Sequence, residues 1–176
     1  MQYLCKYPSP LGELTLAADE LGLTGIWFEG QKYFAATLAQ SPTMAQTPIL
    51  ERTVGWLDRY FAGYDPGPTP PLHLQGTPFR LAVWTLLRRI PYGTTTTYGR
   101  LARKLARCQR CPSMSAQAIG SAIGHNPVSI LVPCHRVVGY NGDPTGYAGG
   151  IDRKKALLAI ERAAAPAPSL FSAAEV

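Results

Sequence analysis

The chain has 176 residues, of which 46% are apolar and 16% are charged, and it carries a formal net charge of +6. This apolar share excludes a wholly disordered chain, and the length suffices for one or two small domains with cores of their own. No apolar stretch approaches the ~20 residues of a membrane-spanning helix, and the N-terminal segment lacks the basic-then-apolar layout of a signal peptide. We therefore expect a cytoplasmic protein that associates with no membrane.

The charge is divided unevenly along the chain. Residues 1–66 contain four basic and seven acidic side chains, whereas residues 67–176 contain thirteen basic and four acidic ones. Between Asp65 and Asp143 there is no carboxylate, although nine Arg and Lys residues lie there. This asymmetry indicates that the second half binds a polyanion such as a nucleic acid, and a solvated basic surface is the alternative.

The four cysteines, Cys5, Cys108, Cys111 and Cys134, are irregularly spaced. In an intracellular protein this spacing favours free thiols over a disulfide framework. Cys108 and Cys111 form a single CxxC pair, which supplies only half of a zinc site. We therefore expect neither a metal nor another cofactor.

Residues 1–64 are predicted to form a small α/β domain, of the α+β type, with a short antiparallel sheet. Three β-prone runs predict strands at Tyr3–Tyr7, Leu14–Ala18 and Leu23–Phe28. An apolar stripe at helical spacing over Ile49–Phe61 predicts a helix with one buried face. The proline-rich residues 65–76 then predict a linker between the acidic and the basic half.

Residues 77–163 are predicted to form a mainly helical domain. Thr77 followed by Pro78 is typical of a helix start, and the apolar stripe that follows them ends at Pro91. A flexible tail is predicted for residues 164–176, which are rich in Ala and Pro.

Two short helices across a turn form a helix-turn-helix candidate in this domain. Thr97 caps the first helix, and Ser113 or Ser115 starts the second, which ends near Gly124. In a basic domain this pattern predicts a winged-helix-like DNA-binding unit, and a helical hairpin in an ordinary core is the alternative. The second helix is rich in small residues, which permit a close approach either to a ligand or to a neighbouring helix.

A cysteine beside a histidine follows an apolar run in the segment ILVPCHRVV. We expect Ile130–Val132 to be an extended buried segment, after which Pro133 restricts the backbone before Cys134. A buried cysteine next to a base is a candidate nucleophile because the thiolate is the reactive form, and a structural cysteine is the alternative. Adjacent residues on extended backbone point in opposite directions, so His135 is expected to act through a water or a turn.

The longer segment Gly124–Gly150, GHNPVSILVPCHRVVGYNGDPTGYAGG, resembles the active-site signature of the O6-alkylguanine-DNA alkyltransferases, also called methylated-DNA–protein-cysteine methyltransferases. The resemblance extends back through TPFRLAVWTLLRRIPYGTTTTYGRLA, forward through RKKALLAIE and, more weakly, to SPLGELTLAADELGLTGIWFEG. It implies direct-reversal DNA repair, in which O6-alkylguanine, and also O4-alkylthymine, is flipped out of the duplex. The alkyl group then passes irreversibly to a cysteine, once per molecule. We expect a monomer whose partner is double-stranded DNA bearing O6-alkylguanine.

The resemblance implies catalytic roles for five residues. Cys134 matches the acceptor that attacks the alkyl carbon, His135 matches the histidine that deprotonates it through a bound water, and Glu161 matches the carboxylate that orients this imidazole. Asn126 matches the asparagine that ties the helix-turn-helix to the active-site loop. Tyr98 matches the tyrosine whose hydroxyl reaches guanine N3.

Four further residues match positions that line the substrate pocket in the family. The backbone carbonyl of Val137 matches the one that receives the exocyclic amine, and the backbone amides of Tyr147 and Ala148 match those that face O6. Ser129 replaces a proline that narrows the pocket in some members. This replacement predicts that bulkier alkyl groups are accepted.

The resemblance also implies a surface that contacts DNA. The second helix of the motif enters the minor groove, where small side chains permit a close approach, while arginines contact phosphates. The residues concerned are Ser115, Ala116, Gln117, Ala118, Gly120 and Arg100. Gln117 stands where better-known members have an arginine that fills the gap left by the flipped base, which predicts slower flipping or weaker lesion discovery.

Three other functions fit parts of the pattern. A non-catalytic protein that binds alkylated DNA would lack the acceptor cysteine, which is present here as Cys134. A transcription regulator would need long polar side chains along its recognition helix, where only Gln117 is suitable. A cysteine hydrolase would need an arrangement of donors for an acyl oxyanion, and none is evident in the sequence.

Overall fold

A small sheet and one helix form the N-terminal part of the protein in the computed structural model, which describes residues 1–164. The sheet has the strand order β3-β2-β1-β4. Its strands are β1 (Tyr3–Ser9), β2 (Gly12–Ala18), β3 (Leu23–Phe28) and β4 (Thr43–Met44). The three predicted strands are confirmed and pair antiparallel, whereas β4 adds to β1 in parallel. A strand of two residues is too short to leave an alternation in the sequence, which is why it was not predicted.

Helix α1 (Pro48–Phe61) packs one apolar face against this sheet. Its N-cap is Thr47, whose hydroxyl oxygen accepts from the Leu50 amide at 3.3 Å, and a proline occupies the first position. The buried face ends in Tyr60, which is fully buried although it carries a hydroxyl group. A buried hydroxyl needs a hydrogen-bond partner, and Tyr60 finds it in the other half of the chain.

Four helices follow between residue 78 and residue 164, the last residue that the structure describes. They are α2 (Pro78–Leu87), α3 (Tyr98–Cys108), α4 (Ala116–Gly124) and α5 (Ile151–Ala164). The predicted caps Thr77 and Thr97 are confirmed, and Ser115 rather than Ser113 caps α4. Helices α3 and α4 pack on each other and on α2, where the Trp84 indole donates to the Ala122 carbonyl at 2.9 Å. The predicted helix-turn-helix is therefore α3 and α4.

The segment that leads to Cys134 is a series of tight turns, so the predicted extended conformation of Ile130–Val132 was wrong. The Val132 amide donates to the Val128 carbonyl at 3.1 Å, and Ile130 has a φ of 71°. The segment is buried and its amides bond mainly within it, because backbone donors shielded from water need partners. A 3-10 turn, Cys134–Arg136, follows directly.

Two short pairings attach this segment to the rest of the molecule. β6 (Val137–Val138) pairs in parallel with β5 (Thr96–Thr97) immediately before α3. At the outer edge of β3, the Ile26 amide donates to Pro127 at 2.8 Å, and Ile26 accepts from the Ser129 amide at 3.0 Å. The edge of the N-terminal sheet therefore fixes the backbone a few residues before Cys134.

The predicted division into residues 1–64, 65–76 and 77–163 stays a prediction. The predicted tail, 164–176, lies outside the described residues except for Ala164, the last residue of α5. Within the described part of the chain, no helix combines the length and apolar character needed to cross a membrane.

Candidate active site

Cys134 lies at the start of the 3-10 turn and is only 4% exposed. The side-chain amide of Asn126, two residues beyond the end of α4, donates to the Cys134 Sγ at 3.2 Å and to the Val132 carbonyl at 2.8 Å. Its Oδ1 accepts from the Val128 amide at 3.0 Å. Asn126 thus joins the end of the helix-turn-helix to the cysteine, as the resemblance implies.

His135 and Glu161 form a fully buried pair beside this cysteine. The His135 Nε2 lies 2.6 Å from Glu161 Oε1, and neither residue is more than 1% exposed. Burial lowers the pKa of His135 because the charged imidazolium is poorly solvated, although Glu161 opposes this effect. The imidazole is therefore neutral near pH 7, and its Nδ1 makes no hydrogen bond to residues 1–164.

The Glu161 carboxylate is held by donors from three other parts of the chain. Tyr60 on α1 donates its hydroxyl at 2.8 Å, the Gly93 amide donates at 3.0 Å, and the Arg136 Nε donates at 2.9 Å. Burial raises the pKa of this carboxyl, but the contacts with His135 and Arg136 outweigh it and hold the pKa at about 2. Glu161 is therefore an anion at every physiological pH.

Arg136 balances this charge and anchors the turn. Its guanidinium donates to both Glu161 oxygens and, through Nη1, to the Ile90 carbonyl at 2.6 Å. A guanidinium that contacts both oxygens fixes the orientation of the carboxylate and stabilises its negative charge. The adjacent residues His135 and Arg136 both reach Glu161 because the backbone forms a 3-10 turn rather than a strand.

Lys154 is a buried cation that the sequence interpretation missed. Its side chain is fully buried, and Nζ donates to the carbonyls of Val137 and Thr145, the latter at 2.6 Å. Burial lowers the pKa of Lys154 to about 8, and the nearby Cys134 opposes that shift. In turn, burial raises the pKa of the Cys134 thiol, while the Asn126 hydrogen bond and the Lys154 charge lower it.

A sequence signal for Lys154 existed. It lies seven residues, or two turns, before Glu161, and so occupies the same face of α5 as that carboxylate. No comparable signal exists for Tyr60, which reaches Glu161 across 101 positions of sequence.

Two of the predicted substrate-contacting residues, Tyr98 and Tyr147, lie near Cys134: burial raises the pKa of both hydroxyl groups, and the nearby Cys134 raises it further. Tyr98 donates its hydroxyl to the carbonyls of Thr145 at 2.8 Å and Gly146 at 3.1 Å. Within residues 1–164 the backbone amides of Tyr147 and Ala148 donate no hydrogen bond. Unpaired amides of this kind are available to an incoming acceptor.

The other two residues predicted to line the substrate pocket already have hydrogen-bond partners within the protein. The Val137 carbonyl accepts from Lys154, and Ser129, which is 2% exposed, lies with its hydroxyl 3.4 Å from Gln31 Oε1. Gln31 follows β3, so the N-terminal domain contributes a side chain next to this position, which the sequence interpretation also missed. Side chains from both halves of the chain therefore meet at Ser129.

The predicted DNA-contacting residues Ser115–Ala118 lie at the start of α4, Gly120 lies at the middle of this helix, and Arg100 lies in the first turn of α3. Ser115–Ala118 are all exposed, as is Arg100. The Ser115 hydroxyl accepts from the amides of Gln117 at 3.2 Å and Ala118 at 3.4 Å, so it also caps the helix. A Cβ on Gly120 would lie 3.8 Å from the Tyr98 ring, so α4 packs beside Tyr98 at this position.

The three other cysteines lie apart from Cys134, and none of the four cysteines forms a disulfide bond. Cys111 in the turn between α3 and α4 contacts the carbonyls of Ala106 and Ser113 through its thiol, while Cys108 is exposed. Across residues 1–164, no three His, Cys, Asp or Glu side chains are grouped so as to hold a metal ion.

Comparisons with known proteins agree with this geometry. Residues 78–163 match the DNA-binding domain of 6-O-methylguanine DNA methyltransferases, and residues 3–68 match their ribonuclease-like domain. The methylated-DNA–protein-cysteine methyltransferase of Mycobacterium tuberculosis is 42% identical over 159 residues, which cover 90% of this chain and 92% of the relative. The chain belongs to the methylated-DNA–protein-cysteine methyltransferase family. The predicted family and the two-part fold with a helix-turn-helix are confirmed.

Solved structures of this methyltransferase family extend the match. The crystal structure of the Mycobacterium tuberculosis O6-methylguanine methyltransferase superimposes with a TM-score of 0.79 at 40% identity, covering 96% of this chain and 97% of that one. The complex of the M. tuberculosis protein with DNA gives a TM-score of 0.77 at 38% identity, covering 94% and 96%. As a member of this family, the chain transfers an alkyl group from alkylated DNA to one of its own cysteines, a direct reversal of DNA damage.

Proposed function

We propose that Cys134 is the alkyl acceptor and that its substrate is O6-alkylguanine, and also O4-alkylthymine, in double-stranded DNA. The observation that carries the assignment is the position of this thiol, held by Asn126 at 3.2 Å and adjacent in sequence to the buried His135–Glu161 pair. Cys5 is buried too, but it lies in β1, and burial raises the pKa of its thiol with no opposing contact. Of the two buried cysteines, Cys134 is thus the one whose contacts, with Asn126 and Lys154, lower the pKa against the effect of burial.

His135 is the base in this proposal. Because its Nε2 proton is directed to the Glu161 carboxylate, Nδ1 carries the lone pair and accepts the thiol proton through a water molecule. Glu161 then stabilises the imidazolium that forms, while Lys154 and Asn126 stabilise the thiolate. Arg136 and Tyr60 keep Glu161 in place throughout the reaction.

The transfer itself is an in-line displacement. The Cys134 sulfur forms a bond to the alkyl carbon as the bond from that carbon to O6 breaks, and the electron pair passes to the guanine. The free amides of Tyr147 and Ala148 stabilise the charge that develops at O6, and Tyr98 assists protonation of the leaving base. The product is a thioether that no group in the site reverses, so each molecule reacts once.

The burial of Cys134 requires that the substrate base leave the duplex. At 4% exposure the sulfur is out of reach of a base stacked within DNA, so the nucleotide is flipped into the pocket. The small residues of α4 and its cap lie in the minor groove, and Gln117 fills the gap that the flipped base leaves. These small residues are Ser115, Ala116, Ala118 and Gly120. Arg100 contacts phosphate, which makes the affinity decrease with salt.

Peptide mapping after reaction with a duplex that carries labelled O6-methylguanine tests the assignment. We expect one label per molecule on the peptide that contains Cys134, no transfer to Cys134→Ser, and normal transfer to the control Cys108→Ser. A protein that binds the duplex without taking up label would favour the non-catalytic alternative. Label on any other cysteine would refute the assignment to Cys134.

Ser129 defines a finer expectation about the alkyl group. Because serine is smaller than the proline found in some members, a benzyl adduct should be removed at a rate similar to that of a methyl adduct. Single-turnover rates on matched duplexes measure this ratio, and exclusion of the benzyl adduct would contradict it.

A further inference from the structure

The turn Tyr147–Gly150 carries the two amides that face O6 in the proposed mechanism. The Gly150 amide donates to the Tyr147 carbonyl at 3.0 Å, so the turn closes on itself with Ala148 and Gly149 at its corners. This internal bond sets the shape of the turn but not its place in the molecule. The place of the turn depends on contacts that other segments make with its corner residues.

Both corner carbonyls accept hydrogen bonds from other segments. The Ala148 carbonyl accepts from the backbone amide of Lys32, in the loop after β3, at 3.1 Å. The Gly149 carbonyl accepts from Nη1 of Arg153, in the first turn of α5, at 3.1 Å. Because a peptide unit is planar, a donor that holds the carbonyl fixes the direction of the whole unit. The two contacts therefore hold both corners of the turn.

Arg153 also binds the N-terminal sheet. Its Nε donates to the Leu11 carbonyl, between β1 and β2, at 2.9 Å, and its guanidinium carbon lies 4.7 Å from the centre of the Phe28 ring of β3. A Cβ on Gly12 would lie 3.1 Å from Nη2, so the glycine leaves room for the guanidinium. One planar group with several fixed donors thus joins the sheet to the turn.

The sheet packs on the turn directly as well. A Cβ on Gly149 would lie 3.2 Å from the Phe28 ring and 2.6 Å from the Tyr147 ring, so the two rings leave no room for a side chain at this position. Phe28 is fully buried in the core. Packing by Phe28 and hydrogen bonding by Arg153 therefore both fix the turn relative to β3.

We propose that Arg153 is a positioning residue for alkyl transfer, which holds the turn on the N-terminal sheet with the Tyr147 and Ala148 amides directed at O6. The inference rests on the proposed function, which assigns these amides to O6. Donors stabilise the charge that develops at O6 most effectively when they are oriented before the reaction, because reorientation during the reaction costs free energy. Loss of Arg153 should therefore slow the chemical step more than it weakens DNA binding.

Two electrophiles distinguish this role from a general structural one. Transfer from O6-methylguanine depends on the amides, because charge develops on the leaving guanine, whereas alkylation of Cys134 by iodoacetamide involves no O6 atom. We expect Arg153→Met to slow single-turnover transfer at saturating duplex about tenfold, with iodoacetamide alkylation of Cys134, followed by peptide mapping, within about twofold of the wild type. Arg162→Met removes an exposed charge from the same helix and should change neither rate.

Affinity and stability measurements complete the test. In the Cys134→Ser background, fluorescence anisotropy should show that Arg153→Met binds the O6-methylguanine duplex about as tightly as its parent. Urea unfolding establishes that the variant is folded under the assay conditions. If it is not, Arg153→Lys takes its place and should also slow transfer, because an ammonium group lacks the planar fork that spans these carbonyls.

The inference is overturned if the folded variant transfers the methyl group at the wild-type rate. It is also overturned if transfer and iodoacetamide alkylation slow by the same factor, since Arg153 would then act on the pocket as a whole. Failure of the proposed function would show separately, as absence of transfer by the wild type.

Discussion

The surroundings of Glu161 and the first turn of α4 are opposite kinds of environment in one small protein. The carboxylate is 1% exposed and receives hydrogen bonds from side chains and backbone of distant segments. By contrast, Ser115–Ala118 are exposed, and the only side-chain hydrogen bonds that they make within residues 1–164 are those that cap the helix. The difference separates two requirements: proton transfer needs fixed groups shielded from water, whereas a groove-binding helix needs an accessible surface.

The two environments also differ in how they respond to substitution. Removing one partner of a buried charged group leaves the others unpaired, so effects in the Glu161 region should be large and should include loss of stability. Changes on the exposed turn of α4 should alter the interaction with DNA and leave the fold unchanged. Four experiments test this contrast.

Glu161→Gln should have the largest effect. Without the carboxylate, His135 loses its orienting anion, and we expect the rate of alkyl transfer to fall by about a hundredfold or more. Arg136 would be left buried without a counter-ion, which should cost about 3–5 kcal/mol of unfolding free energy. Single-turnover transfer and urea unfolding measure the two effects, with the exposed Glu51→Gln as control. A wild-type transfer rate in Glu161→Gln would remove this carboxylate from the mechanism.

Acid should destabilise the protein through the same carboxylate. The pKa of Glu161 in the folded protein is about 2, below the ordinary value of 4.5. The carboxylate therefore contributes its full share of the unfolding free energy above the ordinary pKa, and this share is lost as the pH falls towards the pKa of the folded protein. The shift corresponds to about 3 kcal/mol. Between about pH 5 and pH 2, the unfolding free energy measured with urea should therefore decrease more steeply with falling pH for the wild type than for Glu161→Gln. Equal pH dependence would contradict the pairing.

Lys154→Met should have an intermediate effect. The substitution removes a charge that favours the Cys134 thiolate and releases two backbone carbonyls. We expect transfer to slow about tenfold near neutral pH, and the pH profile of Cys134 alkylation by iodoacetamide to move upward. The neighbouring exposed Lys155→Met is the matched control. An unchanged pH profile would limit Lys154 to a structural role.

Gln117→Arg should have the smallest effect, and an effect on DNA only. An arginine at this position adds a charge and a longer side chain to fill the space of the flipped base, so repair of O6-methylguanine in a duplex should be faster by about a few fold. The melting temperature should not change. Gln109→Arg adds the same charge in the turn before α4 as a control. If both variants gain equally, the benefit is general attraction to DNA rather than the action of residue 117.

The outline of the fold was predictable because it depends on local patterns. The apolar stripe of α1, the caps at Thr77 and Thr97 and the β-prone runs each act within a few residues. The segment before Cys134 was misinterpreted for the opposite reason. An apolar run predicts burial, but whether it forms a strand or turns depends on partners that sequence pattern does not specify.

The family could be predicted from the sequence alone, because residues 78–163, which match its DNA-binding domain, contain the segments of the resemblance that include Cys134, His135 and Glu161. The catalytic roles of these three residues are a proposal. How these side chains are held depends on contacts between distant parts of the folded chain. Tyr60 comes from α1, Gln31 from the loop after β3, and Lys154 from the buried face of α5. A buried polar atom finds its partner only when distant elements pack together, and geometry rather than local pattern selects that partner.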